Sequence, residues 1–167
     1  MNIAEVTIGF RPLQLTDEAL LRGWLNAPHV AQWWGNPEKE VRDAMGHIAT
    51  GDADAFIFTG NGHDLGYIQA YDAREDEYFA DRAPGVKGMD LYIGFADLVG
   101  RGLGRRTIRA FADYFLANGS SEVVADPNPK NIAAVSAYRH AGFSLYRVHR
   151  SVAHGHLVLM SKTAQTA

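Results

Sequence analysis

A loop rich in glycine and arginine is the part of the sequence whose residue types point most directly to chemistry. Gly100, Gly102 and Gly104 stand at alternate positions, with Arg101 and Arg105 between and beside them. Glycine has no Cβ, so the backbone of such a loop can come close to a ligand. Helical spacing begins directly after the loop, and the N–H groups at the start of a helix attract phosphate. The segment therefore predicts a phosphate-binding loop.

The spacing within this loop limits which phosphate ligand it can hold. A dinucleotide fingerprint would place its third glycine at position 105 or 107, where the chain has Arg105 and Thr107. The Gly-Lys-Ser or Gly-Lys-Thr of a nucleoside-triphosphate loop does not follow either. Neither motif fits, and an ordinary strand-to-helix turn with solvated arginines is the alternative to a phosphate site.

Further polar residues stand where a strand or a helix could aim them at a reacting group. Asp90 lies in a strand rich in apolar residues, where a carboxylate normally needs a partner or a function. Asp126 ends another strand just before two prolines, and Asn131 precedes a helix that carries Tyr138. Each has a structural alternative, because aspartates start turns, asparagine caps helices and tyrosine is a common core residue.

Length and composition bound the class of protein. A chain of 167 residues, 47% apolar and 21% charged, predicts one globular domain over residues 1–167. No apolar run approaches the roughly 20 residues of a membrane span, and the N-terminus lacks a signal-peptide pattern. The absence of cysteine excludes disulfides and thiolate metal sites. The lack of cysteine is compatible with the cytoplasm, and the net charge of −3 argues against a nucleic-acid binder. We therefore expect a cytoplasmic protein without membrane or nucleic-acid partners.

Strands and helices that could position these residues alternate along the chain. The first half predicts, in order, a strand at 6–10, a helix capped by Thr16, an aromatic loop at 29–35, a helix from Pro37, and strands at 55–58 and 65–71 joined by an Asn61-Gly62 turn. The second half predicts an acidic loop at 72–82, a strand at 88–95, the glycine loop and its helix, a strand at 122–126, a helix from Asn131 that Gly142 ends, and strands near 143–148 and 156–161. The order is mixed α/β, and its hairpins mean that the sheet cannot be wholly parallel.

Two motifs in the second half resemble those of one enzyme superfamily. They are a strand, Gly100-Arg101-Gly102-Leu103-Gly104 and a helix, and then, after the next strand, Asp126-Pro-x-Pro-x-Asn131 and Tyr138-x-x-Ala141-Gly142-Phe143. At this separation they resemble the GNAT acetyltransferase superfamily, and the resemblance spans essentially the whole chain. It implies a GNAT-like α/β fold, with a mixed, mostly antiparallel central sheet flanked by helices. It also implies that the glycine loop binds the pyrophosphate of acetyl-coenzyme A (acetyl-CoA).

Within the superfamily, the chain is most similar to the aminoglycoside 6′-N-acetyltransferases. The segments that carry this likeness are Trp24-Leu25-Asn26, His29-Val30-x-x-Trp33-Trp34-Gly35, Gly66-Tyr67-x-Gln69-x-Tyr71, Pro84-Gly85-Val86-x-Gly88-x-Asp90 and Asp126-Pro127-x-Pro129-x-Asn131. Enzymes that acetylate the hydroxylated lysine of siderophores share much of this layout. Many members have Gln or Arg where Val99 stands, so the apolar residue fits the aminoglycoside branch and loses one side-chain contact.

The resemblance implies direct attack of a primary amine on the acetyl thioester, without a covalent enzyme intermediate. An alkyl amine has a pKa of about 10.4 and is mostly protonated at neutral pH, so a group must remove its proton. Asp90 matches the aspartate assigned as base, although a plain electrostatic clamp on the ammonium would leave the same trace. Tyr138, with a phenolic pKa of about 10, is implied to protonate the departing thiolate.

The same resemblance implies a set of binding residues. For the cofactor they are Tyr92, Ile93, Gly94, Val99, Gly100, Arg101, Gly102, Leu103, Gly104, Arg105 and Asn131, with an oxyanion held by N–H groups near 92–94. For the amine substrate they are Trp33, Trp34, Gln69, Tyr71, Asp90 and Asp126. The acidic loop could attract a cationic substrate, although charged runs are usually solvated loops and paired tryptophans are often core packing.

Alternatives to an aminoglycoside acetyltransferase stay open at this point. A siderophore-pathway acetyltransferase would use a less basic hydroxylamine acceptor, and an acyl-coenzyme A sensor would not need Asp90 and Tyr138 to converge on the thioester. The histidines at 149, 154 and 156 fit a terminal hairpin, and no carboxylate stands at a convincing interval, so we expect no metal. The expected assembly is a monomer or a homodimer.

Overall fold

The computed structural model describes residues 2–164 of the chain. Its strands are β1 (Ile8–Pro12), β2 (Ala53–Gly60), β3 (His63–Asp72), β4 (Lys87–Ile93), β5 (Glu122–Ala125), β6 (Ser144–Ser151) and β7 (Gly155–Thr163). Its α-helices are α1 (Glu18–Leu25), α2 (Pro28–Trp34), α3 (Pro37–Thr50), α4 (Leu103–Ala117) and α5 (Ile132–His140). Short 3₁₀ turns lie at Ile3–Glu5, Leu15–Asp17, Ala73–Glu75, Glu77–Phe79 and Ala96–Leu98.

The strands form one sheet of seven, in the spatial order β1-β2-β3-β4-β5-β7-β6. Antiparallel pairing joins β1 to β2, β5 to β7 and β6 to β7. In contrast, β4 and β5 run parallel, with Lys87 opposite Val123. The predicted GNAT-like fold, a mixed and mostly antiparallel sheet flanked by helices, is confirmed.

The described chain divides into two compact units. The first unit comprises the residues up to Ala70 together with Asp90–Arg101, and the second comprises Tyr71–Met89 together with the residues from Gly102 onward. Strands β3 and β4 contribute residues to both units. The prediction of one acetyltransferase domain over residues 1–167 stays a prediction.

Helix α1 of the first unit begins at Glu18, one residue later than a cap at Thr16 predicts. Thr16 lies inside the 3₁₀ turn, and Asp17 occupies the capping position instead. The carboxylate of Asp17 accepts a hydrogen bond from the N–H of Gln14 at 2.9 Å, which closes the turn that leads into the helix. The apolar stripe then packs as its spacing predicts, with Leu21, Trp24 and Leu25 buried.

The predicted aromatic loop at 29–35 is wrong, because this segment is the helix α2. Pro28 occupies its first turn, where its fixed φ favours the helix and no N–H is needed. Gly35 ends the helix with a φ of 75°, a conformation that favours glycine. Val30 is buried and Trp34, four residues later, packs against the same core. The four-residue spacing of Val30 and Trp34 indicates a helix, but the aromatic composition of the segment made this pattern hard to recognise.

Predictions from turn and capping residues are confirmed in the hairpin and in α3. Asn36 caps α3, since its side chain accepts a hydrogen bond from the N–H of Lys39 at 3.1 Å. Between β2 and β3, Asn61 has a φ of 51° and Gly62 a φ of 81°, as a tight two-residue hairpin turn requires. These local signals fix where α3 and β3 begin.

In the second unit, α4 follows its predicted pattern and α5 departs from it. The apolar stripe of α4 is buried at Ile108, Phe111 and Ala112. Gly142 follows α5 with a φ of 102°, in agreement with its predicted role as the stop. The helical spacing of Ile132, Val135 and Tyr138 predicts that all three are buried, but the Ile132 side chain is 76% exposed, whereas Tyr138 is buried.

The acidic loop at 72–82 is more ordered than its charge suggests. It contains the two 3₁₀ turns Ala73–Glu75 and Glu77–Phe79, and Tyr78 and Phe79 are buried. Among residues 2–164, none of the helices combines the length and the apolarity needed to cross a membrane. The cytoplasmic location stays a prediction.

Candidate active site

The glycine loop has the backbone conformation of a ligand cradle. Gly100 and Gly102 have φ values of 76° and 88°, which L side chains rarely adopt. Gly102 precedes the first turn of α4, and it has no side chain that could cap the helix N–H groups. Leu103 is fully buried and anchors that turn, while Gly104 lies within it. The start of α4 is therefore suited to bind an anion through its backbone N–H groups.

Basic side chains surround this loop. Arg101 and Arg105 are exposed, and Val99 is 39% exposed. A Cβ added to Gly102 would lie 3.2 Å from Nε of Arg105, so the Arg105 guanidinium lies over the glycine backbone. Positive charge at a helix N-terminus fits the pyrophosphate of a coenzyme A molecule.

In the first unit, a chain of hydrogen bonds ends on Asp90. The hydroxyl of Tyr67 donates to Oε1 of Gln69 at 2.7 Å, and Nε2 of Gln69 donates to Oδ2 of Asp90 at 3.2 Å. The first bond fixes which end of the Gln69 amide faces Asp90. Burial raises the pKa of Tyr67, and the charge of Asp90 raises it further, so Tyr67 stays a hydrogen-bond donor at neutral pH.

An aromatic cavity of about 420 Å³ lies in the same unit. Among the predicted site residues, Trp34, Gln69 and Tyr92 line it, together with Tyr67. The Tyr67 and Tyr92 rings stack with centroids 5.4 Å apart, and Trp34 meets Tyr92 edge-on at 4.9 Å. Trp33 is 38% exposed and does not belong to this lining. The structure thus separates the two tryptophans that the sequence placed in one pocket.

The segment 92–94, where we expected oxyanion donors, is tightly held. The N–H of Gly94 donates to the carbonyl of Leu65 at 2.8 Å, and Nε2 of His29 lies 2.9 Å from the carbonyl oxygen of Ile93. A Cβ on Gly94 would lie 2.3 Å from the Trp24 indole, so only glycine fits there. Because the Gly94 N–H already has an acceptor, we assign it no oxyanion role.

The second unit contains a separate cluster of carboxylates and phenols. Tyr78 donates a short hydrogen bond to Oδ2 of Asp126, and Tyr71 donates to Oδ2 of Asp76 at 3.1 Å. Burial raises the pKa of Asp126, the Tyr78 hydrogen bond opposes this, and the nearby Asp76 raises it again. Burial likewise raises the pKa of Asp76, opposed by the Tyr71 hydrogen bond.

Two members of this cluster are absent from the residues that the sequence singled out. Asp76 lies in the acidic loop that was expected to attract a cation, but nothing marked it among its acidic neighbours. Tyr78 is separated from Asp126 by 48 positions. The one available signal was the pair of large aromatic residues, Tyr78 and Phe79, inside an otherwise charged loop.

Tyr138 and Asn131 lie on or beside α5. Tyr138 is 4% exposed, and its hydroxyl donates to the carbonyl of Met89 at 3.3 Å. Met89 directly precedes Asp90 in the chain. Asn131 caps α5, because its side-chain oxygen accepts the N–H of Ala134 at 3.1 Å. The helix-capping alternative for Asn131 is therefore confirmed, and its binding of the cofactor stays a prediction.

Two histidines of the terminal hairpin lie beside the carboxylate cluster of the second unit, where burial raises the pKa values of Asp76 and Asp126 and the charge of His154 lowers them. His149 packs against the ring of Tyr78 with centroids 5.2 Å apart, and His154 lies in the turn before β7. Within the described residues, no group of three histidine, aspartate or glutamate side chains is placed to hold a metal ion.

Comparison with known proteins identifies the family. Residues 14–150 match the acetyltransferase (GNAT) domain, and the chain belongs to this family. Aminoglycoside N(6')-acetyltransferase type 1 of Klebsiella pneumoniae is 31% identical over 140 residues, which cover 76% of this chain and 69% of that protein. Lysine N-acyltransferase MbtK of Mycobacterium tuberculosis is 28% identical over 145 residues, covering 83% and 69%.

A solved structure extends the likeness to the whole fold. Aminoglycoside acetyltransferase AAC(6')-Ib in complex with coenzyme A and kanamycin superposes with a TM-score of 0.84 at 27% identity, covering 95% of each chain. Acetyltransferase activity is confirmed for the chain, and acetyl-CoA, the donor that GNAT enzymes use, is confirmed as its cofactor. The roles of individual site residues stay predictions.

Proposed function

We propose that the chain transfers an acetyl group from acetyl-CoA to the 6′-amine of an aminoglycoside. The observation that carries this proposal is the setting of Asp90, a half-buried carboxylate held by Gln69 in the unit that contains the aromatic cavity. A carboxylate in such a place suits a cationic amine whose sugar ring packs on flat surfaces. The likeness to aminoglycoside acetyltransferases supports the same acceptor.

Cofactor binding is assigned to the glycine loop and its neighbours. The N–H groups at Gly102, Leu103 and Gly104 bind the pyrophosphate at the start of α4, and Arg101 and Arg105 add positive charge. When bound, acetyl-CoA supplies the thioester carbonyl that the amine attacks. The main chain around Tyr92 and Ile93 is the proposed source of oxyanion donors, and Val99, Gly100 and Asn131 complete the binding set.

Proton transfer is assigned to two side chains. Asp90 holds the ammonium group of the acceptor and accepts its proton, which frees the nitrogen lone pair for attack. Tyr138 donates its hydroxyl proton to the sulfur that leaves, and the second proton, which the acetylated nitrogen loses as the tetrahedral intermediate collapses, restores the phenol. The hydrogen bond from Tyr138 to the Met89 carbonyl holds the hydroxyl at the residue next to Asp90 in β4.

Recognition of the rest of the acceptor is assigned to polar and aromatic side chains. In the first unit, Trp34 and Gln69 offer an aromatic face and an amide, and the exposed Trp33 adds a flat surface. In the second unit, Tyr71 and Asp126 supply a hydroxyl and a carboxylate. A polycationic acceptor suits this composition, and resistance to aminoglycosides would follow from the activity.

A second candidate function has one specific observation in its favour. The chain is similar to a lysine N-acyltransferase over 83% of its length. A hydroxylated lysine acceptor would be less basic than an alkyl amine, and it would depend less on Asp90.

The deciding experiment is a steady-state assay with acetyl-CoA and three acceptors: kanamycin, N6-hydroxylysine and a lysine peptide. We expect turnover with kanamycin, and loss of product when its 6′-amine is replaced by hydroxyl. Turnover with hydroxylysine alone would assign the second function. Binding of coenzyme A without turnover on any amine would indicate an acyl-coenzyme A sensor.

A further inference from the structure

The edge of the sheet in the second unit is a strand that the transfer of acetyl does not use. Strand β6 pairs with β7, and no further strand lies beyond it among residues 2–164. It is eight residues long, and six of these residues are exposed. An edge strand presents a row of backbone N–H and C=O groups that can pair with another chain. This edge is therefore a place where an extended segment of a partner can add a strand.

One face of β6 is already covered by the chain itself. Arg147 donates a hydrogen bond to the carbonyl of Tyr78 at 3.2 Å. The ring of His149 packs against the ring of Tyr78, with centroids 5.2 Å apart. Both contacts belong to the loop at 72–82, so this face of the strand is occupied within the second unit.

The opposite face of β6 carries Leu145, Val148 and Arg150, which we call the β6 outer face. Their partners on β7 stand at positions 160, 158 and 156, at every second residue, so the three side chains share one side of the sheet. Leu145 is 52% exposed and Val148 is 64% exposed, and Arg150 is exposed as well. Two aliphatic side chains beside a cation are matched by a strand that carries apolar and acidic side chains on one face.

The distribution of charge along the chain favours an acidic partner at this edge. All 19 aspartates and glutamates lie at or before Asp126, whereas residues 127–167 contain five lysines or arginines and four histidines. Arg150 lies opposite His156 across the hairpin, so two basic side chains face each other there. Basic groups in this arrangement repel each other when both are charged, and an acidic group from a partner relieves the repulsion.

A second copy of the chain and a lipid surface fit this edge less well. Pairing of two β6 strands about a two-fold axis would bring two identical basic edges together. A lipid surface would attract the basic side chains, but it offers no backbone groups to pair with those of the strand. An extended acidic segment satisfies both the charge and the backbone hydrogen bonds.

We propose that the edge of β6 binds an extended acidic segment of a partner protein, which adds a strand to the sheet. Apolar side chains of that segment pack on Leu145 and Val148, and a carboxylate accepts a hydrogen bond from Arg150. The backbone hydrogen bonds provide affinity, and the β6 outer face selects the sequence that is accepted. The partner is independent of the proposed acceptor, since no residue of β6 is assigned to the transfer.

The main test uses an acetylated and amidated peptide, Glu-Thr-Val-Thr-Val-Thr-Glu, which has acidic and apolar side chains on one face in either direction. Titration calorimetry should show saturable binding to the unchanged chain. Arg150→Glu should weaken it about tenfold or more, since a hydrogen bond between charged groups is lost, and Val148→Lys about fivefold. Arg42→Glu and Leu15→Lys, at exposed positions of the first unit, are matched controls. Absence of binding, or an equal loss in the controls, would overturn the proposal.

Backbone methylation separates strand addition from simple attraction of charge. One peptide is N-methylated at its two valines, and a second at the two threonines that precede them. Successive residues of a strand direct their N–H groups to opposite edges, so only one of the two sets faces β6. One methylated peptide should therefore lose binding while the other keeps it. Equal binding of the two would mean that the backbone does not take part, and it would overturn the proposal.

Two further measurements test the other occupants. A dimer seen by analytical ultracentrifugation that Val148→Lys dissociates would assign the edge to a second copy and overturn the proposal. Binding to phosphatidylglycerol vesicles that Arg150→Glu abolishes would assign it to a lipid surface, with the same consequence. Each variant should bind coenzyme A as the unchanged chain does, which shows that its fold is intact. The methylated peptides test the unchanged chain, so they decide the proposal even if a variant does not fold.

Discussion

Asp90 and Asp126 each accept a hydrogen bond from a neighbouring side chain, but the two aspartates have different surroundings. In the first unit, Asp90 accepts from the neutral amide of Gln69, which Tyr67 orients. In the second unit, Asp126 accepts directly from the phenol of Tyr78 and lies near a second carboxylate, Asp76. Burial and that like charge raise the pKa of Asp126.

From this difference we propose different tasks for the two carboxylates. A carboxylate that accepts a proton is well held by an oriented, neutral hydrogen-bond donor, because such a donor fixes its position without neutralising its charge. A group that must hold a cation is served by a neighbouring carboxylate, because the pair repel each other until a cation arrives. We infer that Asp90 acts on the reacting amine and that Asp126 with Asp76 binds another positive charge.

The largest expected effect follows from exchanging Asp90 for asparagine. Asp90→Asn should lower kcat about 10²–10⁴-fold, the usual contribution of a proton-transfer group, and leave the affinity for acetyl-CoA unchanged. Asp126→Asn should instead raise KM for the acceptor and change kcat less than threefold. Steady-state kinetics with both substrates measure each parameter. Asp54→Asn, an exposed position on β2, serves as the control. If both variants lose kcat equally, the division of tasks is wrong.

The next effect concerns Tyr138, the proposed general acid. Tyr138→Phe should lower kcat about 10²-fold, because the sulfur then leaves without a proton from the enzyme. Loss of the hydrogen bond to Met89 should also lower the free energy of unfolding by about 1 kcal/mol. Tyr114→Phe, on the exposed face of α4, is the matched control. Normal turnover of Tyr138→Phe with a weakened fold would leave Tyr138 a core residue.

A smaller effect concerns the pH dependence of acceptor binding. The pKa of Asp126 is raised, so this carboxylate loses its charge at a higher pH than an exposed aspartate. The KM for a cationic acceptor should therefore rise as the pH falls through that raised pKa. Tyr78→Phe removes the hydrogen bond that lowers the pKa, and it should move the rise in KM to still higher pH. Tyr67→Phe should not change the pH at which KM rises. If it does, Asp90 and Asp126 do not act as separate sites.

Stability gives the same comparison a fourth test. The folded chain holds the proton of Asp126 more tightly than the unfolded chain does, so this group makes the fold less stable as the pH rises through the raised pKa. Asp126→Asn removes the buried charge but keeps an oxygen for Tyr78, and it should raise Tm at pH 8. Each kcal/mol corresponds to about 2–4 °C. The gain should vanish near pH 3, where the carboxylate is protonated in both states.

The smallest effect is expected in the glycine loop. Gly100→Ala and Gly119→Ala each place a Cβ in open space at a positive φ, so both should lose about 1–2 kcal/mol of stability. Only Gly100→Ala should weaken coenzyme A binding, by about threefold, because Gly119 follows α4 and lies outside the loop. Calorimetric titration of coenzyme A into both variants measures this. Equal affinities would make the conformation of Gly100 irrelevant to the cofactor.

Most of the helices and strands could be predicted from local signals in the sequence. The caps, the Asn61-Gly62 turn and the stripe of α4 depend on residues within a few positions of each other, so they are readable without the structure. The helix α2 was missed because an aromatic cluster gives the same composition in a loop and in a helix. Burial of Ile132 was wrong because spacing shows that residues share a face, and not whether anything covers that face.

The candidate site was only partly readable for a related reason. Gln69 and Asp90, which the resemblance suggested, are bonded across 21 positions, but nothing in the residues themselves pairs them. Tyr78 and Asp126 are bonded across 48 positions, and Tyr78 was not singled out at all. Pairings of this kind depend on strand order and register, which one sequence does not encode locally.

The bond from Tyr138 to Met89 also limits how the loop before β4 can change in length. Successive residues of a strand face opposite sides, so the carbonyl of Met89 and the side chain of Asp90 are positioned by one register. An insertion between Asp72 and Lys87 is tolerated where the extra residue stays in the loop. If it slips into the strand by one position, the side chains exchange faces, Tyr138 loses its anchor and the side chain of Asp90 moves to the opposite face. Changes in the length of this loop are therefore compatible with the fold only where they preserve the pairing of Lys87 with Val123.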